Sequence, residues 1–152
     1  MLATIRPSEW NWLLLFHLLF GFALVGGVLA VTLLSLAAQR AGGQVLLLRT
    51  LAFRTNLAVV LPAFVGVHIL GQTLSDREFP DGGEPGWVGA AFGLTDAGLV
   101  LGGIVLTLLQ WWLVRRTRAA SAPGWAVGVA TALPPFVLAL LVAIVFVMAG
   151  KP

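Results

Sequence analysis

Residues 10–38 read WNWLLLFHLLFGFALVGGVLAVTLLSLAA, and this stretch decides the fold by what it lacks. No charged side chain interrupts it. At about 1.5 Å per residue a helix of this length exceeds the ~30 Å hydrocarbon core of a bilayer. A helix apolar on every side finds its solvent only in a large core or in lipid, and this chain is too small to supply the core. Pro7 and Ser8 suit a helix start, as a first-turn proline and an N-cap. Trp10 and Trp12 follow, as residues of an interfacial aromatic belt do.

The rest of the chain has the same character. Of 152 residues, 59% are hydrophobic and 10% charged, against about 25% charged in an ordinary soluble domain. Mean hydropathy is +0.99. The expected surroundings are therefore a lipid bilayer. The length leaves room for one transmembrane domain over residues 1–152 and no separate soluble domain. Cysteine is absent, which excludes disulfides, thiolate metal sites and cysteine nucleophiles. The sequence pI of about 11.2 does not point to nucleic acid, because basic residues in such a chain mark cytoplasmic loops.

Three further apolar runs follow, at residues 55–74, 87–113 and 125–149. The fold class expected is all-α, a four-transmembrane-helix up-down-up-down bundle. Residues 44–56, with Arg49 and Arg54, read as an interfacial lead into the second span, where long arginines reach the head groups. Pro62 in the second span and Pro134-Pro135 in the fourth predict kinks. Residues 75–86 (SDREFPDGGEPG) are too rich in proline and glycine for regular structure, and their carboxylates lack the alternate spacing of a calcium loop.

Charge sets an expected orientation. The links after spans one and three carry Arg40, Arg49, Arg54, Arg115, Arg116 and Arg118; the link between them carries Asp76, Glu78, Asp81 and Glu84 against Arg77. The positive-inside rule places the arginines in the cytoplasm, with both termini and the acidic link outside an inner (plasma) membrane. The Ala- and Gly-rich, lysine-poor composition suggests a bacterial source.

The candidate functional residues are the polar groups inside the spans. His17 lies roughly 10 Å below Trp10, and His68 a similar depth below Leu74, on the same side. Asp96 joins them at about 13 Å if the third helix starts at Trp87; if it starts near Leu94, Asp96 is a cap. Two imidazoles and a carboxylate at one level suit a transition-metal site, a proton-sharing cluster or, with the histidines alone, the axial positions of haem b. The plain alternative is that each histidine donates one hydrogen bond between helices. Gly89/Gly93 and Gly98/Gly102 each form a GxxxG pair, the usual basis of close helix packing in lipid, within one chain or between copies.

The stretch FHLLFGFALVGG (residues 16–27) and, more loosely, LPAFVGVHILG (residues 61–71) with the Arg49–Arg54 segment resemble bacterial integral membrane proteins related to the copper resistance protein D family. The resemblance implies a helical bundle in the plasma membrane tied to copper or haem. Only Met1 and Met148 are present, where a copper importer implies methionine-rich segments. No nucleotide loop, hydrolase elbow or zinc-protease helix occurs. The expected role is non-enzymatic: a structural or accessory component of a homo-oligomer or larger membrane complex. The alternative is a haem- or metal-binding, or proton- or small-solute-conducting, protein that uses His17 and His68.

Overall fold

The computed structural model describes residues 9–81 and 83–149; Pro7 and Ser8 lie outside them. The described residues are 89% helical, with no strand among them. Four helical runs are long and apolar enough to cross a membrane: Trp10–Arg40, Val45–Glu78, Gly86–Arg118 and Gly124–Met148. They form an all-α four-helix bundle.

The first run is α1 (Glu9–Arg40). The second joins α2 (Val45–Thr55) to α3 (Leu61–Glu78) through a π-helical segment, Asn56–Val60. The third joins α4 (Gly86–Gly98) to α5 (Leu106–Arg118) through another, Leu99–Val105. The fourth is α6 (Gly124–Ala149). The α5–α6 turn contains Ala120 in the left-handed region, at φ 51°. Neighbours in sequence are neighbours in space, and α1 closes the ring against α6. Two ends result: an acidic end at the α3–α4 connection and an arginine end at the α1–α2 and α5–α6 connections.

The boundaries differ from expectation in the middle two runs. Residues 45–54 are not a separate lead but the first turns of the second run. Nothing in VLLLRTLAFRT breaks a helix, and its arginines occupy flank positions that leave the backbone undisturbed. The third helix starts at Gly86, so Asp96 is a mid-helix residue and not a cap. Helix α6 continues through Pro134 and Pro135, and Pro134 is fully buried.

The bundle's middle is tightly filled. Leu24, Val28 and Val31 of α1 meet Val60, Ala63, Phe64, Leu106, Val137 and Leu141. Lipid tails are as apolar as these side chains, so the gain here is close packing and not escape from water. Phe64 is wholly buried. Its ring lies where side chains at Gly98 and Gly102 would project: a Cβ at Gly98 would sit 2.9 Å from it, and one at Gly102 would sit 2.8 Å from Val137. Only glycine admits Phe64 and Val137 this close. Gly89 and Gly93 differ; nothing lies within 4 Å of a Cβ built on either.

The two π-helical segments are joined. The Leu106 N–H bonds to the Leu101 carbonyl, one residue further back than an α-helix would take it. That leaves the Gly102 carbonyl without its ordinary partner. Asn56, fully buried at the start of the other segment, supplies one: its Nδ2 donates to Gly102 O at 3.0 Å and to Thr107 Oγ1 at 2.6 Å. Thr107 in turn donates to the Gly103 carbonyl.

Candidate functional site

Above this packed middle, toward the acidic end, the bundle opens into a cavity of about 580 Å³ walled by all four runs. The size falls in the usual range for small-molecule sites. Its wall is mostly apolar, with His17 from α1, His68, Ser75 and Glu78 from α3, and Thr95 from α4 as the polar groups. Leu18, Phe22 and Val25 of α1 and Val145 and Met148 of α6 line it and are also exposed. The cavity therefore opens sideways, where α1 meets α6.

His17 is held against α3. A Cβ on Gly71 would lie 3.3 Å from His17 Cε1, so the absence of a side chain at residue 71 makes the bed for the imidazole. The His17 ring N–H donates to the backbone carbonyl of Val67, while Nδ1 is buried with no partner in the protein. His68 is one residue on from that carbonyl. Its Nδ1 lies 3.1 Å from Asp96 Oδ1, although the alignment falls short of a hydrogen bond. Phe92 presents its edge to the His68 ring at 5.8 Å between centroids. The Asp96 side chain is 58% exposed, so the carboxylate lies on the outside of the bundle and reaches in toward His68.

The expected level of the two histidines thus corresponds to one shared cavity, with Asp96 beside only one of them. The donor set does not fit a metal: among the described residues no group of three His, Cys, Asp or Glu side chains converges. The His17 ring rests directly on α3, the helix that carries His68. The cavity rim is fixed from the acidic end, where Ser75 Oγ donates to Glu84 Oε1 at 2.6 Å. That bond ties the α3–α4 connection back onto α3.

Two polar residues escaped the sequence reading, Asn56 and Gln110. Asn56 fell at the edge of a span and read as the end of a polar lead. Gln110 lies inside the third apolar run, one residue before Trp111 and Trp112, and a single amide leaves that run's apolar character intact. Each is almost fully buried. The available signal was the amide itself: an asparagine or glutamine in an apolar run needs partners, as a histidine does.

No protein-family model, curated protein or solved structure matches the chain. What the protein does therefore rests on the site alone.

Proposed function

We propose that this chain is a multi-pass protein of a bacterial inner membrane that binds a small, mostly apolar ligand in the cavity between its four spans. In this reading the arginine end is cytoplasmic and the cavity lies in the outer half of the bilayer, as the positive-inside rule expects. The ligand enters from the lipid through the gap between α1 and α6 and lays a polar head beside His17 and His68. The observation that carries the proposal is the cavity: about 580 Å³ with few polar groups in its wall, two of them imidazoles. The free Nδ1 of His17 is the group best placed to bond that head; with the other ring N–H given to Val67, it is an acceptor for a donor on the ligand. The kinship with the copper resistance protein D family stays a proposal on FHLLFGFALVGG, and copper or haem is no part of this function.

The experiment is binding of a fluorescent apolar probe, 1-N-phenylnaphthylamine, to detergent-solubilised protein. Saturable binding is expected for the wild type and at least tenfold weaker binding for Ala91→Phe, which fills the wall at a residue 4% exposed. Equal binding by the two proteins would refute the cavity as the site.

A second reading has its own observation. Gly89, Gly93 and the exposed Asp96 share one α4 face, and among the described residues no side chain covers the glycines. That face suits packing in a homo-oligomer or a larger membrane complex, in which the chain serves as an accessory subunit.

A further inference from the structure

At the arginine end, on the far side of the packed middle, lies a second and much smaller cavity. It has a volume of about 20 Å³ and is lined by Ser35 and Gln39 of α1, Arg49 of α2, Gln110 of α5 and Thr131 of α6, among others. That is room for one water-sized species. Gln110 is 4% exposed, and neither its Nε2 nor its Oε1 has a partner in the protein. A buried amide left so costs roughly 1–3 kcal/mol, which something in the cavity must offset.

Charge decides what that something is. Arg49 is permanently cationic and half-buried, and it gives one N–H to Thr117 Oγ1. A guanidinium has five such donors, and a hydroxyl does nothing to balance its charge. All six acidic residues, Glu9, Asp76, Glu78, Asp81, Glu84 and Asp96, belong to the other half of the molecule. The arginines after Gln110 do not compete for the cavity. Arg115 and Arg116 lie over the Trp111 and Trp112 rings, at 3.9 and 5.3 Å from their centroids. The cavity thus offers a cation, an unpaired amide N–H and the Ser35 hydroxyl, with no carboxylate.

We infer that the small cavity between α1, α2, α5 and α6 is a binding site for one small inorganic anion of halide size, held by Arg49 and Gln110. Water alone would satisfy the amide and leave the charge of Arg49 uncompensated. A phosphate head group is too large for a space of this volume. The site is independent of the ligand cavity at the other end.

The test is thermal unfolding of the solubilised full chain in sodium chloride and in sodium gluconate at equal ionic strength. Gluconate matches the charge but not the size. Chloride should raise the wild-type melting temperature saturably, on the order of 2–4 °C, and bromide should do the same. Gln110→Leu, which keeps the volume and removes the unpaired amide, should fold and lose the chloride response; Arg49→Gln should lose it as well. Identical wild-type curves in the two salts would mean that only water fills the cavity and would overturn the assignment. So would a full chloride response in Gln110→Leu, because the ion would then sit at another arginine. A response to phosphatidylglycerol vesicles without one to chloride would assign the arginines to lipid and overturn it equally.

Discussion

The two halves of the bundle are built from the same helices and handle their polar groups in opposite ways. Toward the acidic end the spans stand apart around about 580 Å³, and the polar groups, His17 and His68, look into open space. From Phe64 to the arginine end the spans close, and Asn56, Thr107 and Gln110 are wholly enclosed. The contrast is clearest along the third run. Gly89 and Gly93, in the open half, face away from every neighbour, while Gly98 and Gly102 receive Phe64 and Val137. An identical spacing of small residues thus serves close approach only where a large side chain arrives from the other helix.

Exchanging glycine for isoleucine at these pairs should break the comparison most visibly. At Gly102 the new side chain runs into Val137 and Phe64, and overpacking of that kind costs typically 1–3 kcal/mol and sometimes more. Gly102→Ile should therefore lower the melting temperature strongly in detergent, whereas Gly89→Ile should leave a monomer unchanged. Equal losses in both would mean that a second copy covers Gly89. The next effect in size belongs to Asn56. Removing its amide in Asn56→Leu leaves the Gly102 carbonyl buried and unpaired, a loss of about 1–2 kcal/mol, since hydrogen bonds between membrane helices are individually modest. Chemical denaturation should register it, and unchanged stability would show that water replaces the side chain. The smallest change is expected for Asp96→Asn. Asp96 makes no aligned hydrogen bond to His68, so the midpoint should scarcely move. A clear loss accompanied by a smaller particle on size-exclusion chromatography would place Asp96 inside an assembly.

The four runs, the segregation of charge and the common level of His17 and His68 were all legible in the sequence, because each depends on composition along the chain. What faces what was not. The runs are apolar on every side, so no periodic polar stripe marks the inward face. Gly89/Gly93 and Gly98/Gly102 look alike until Phe64 is placed. The pairing of His68 with Asp96, and its failure to include His17, depends on rotation about helix axes that apolar sequence does not encode. Arg49 and Arg54 masked the continuity of α2 with α3, since charge inside a hydrophobic run reads as a boundary. Gln110 was overlooked because a single amide leaves an apolar run apolar.

The π-helical segment in the third run also sets the phase of everything after it. Before it, the buried positions are Val88, Ala91, Thr95 and Gly98; within it Gly102 and Gly103; after it Leu106, Thr107, Gln110, Leu113 and Val114. At 3.6 residues per turn, an unbroken α-helix continuing the first series would turn residues 106, 109 and 113 inward and leave Thr107, Gln110 and Val114 toward the side. One residue corresponds to about 100° of rotation, and the bulge absorbs that angle. The two ends of a single helix are thereby dialled separately: rewinding the segment as regular α-helix, with no residue removed, would swing Thr107, Gln110 and Val114 about 100° away from the inward face.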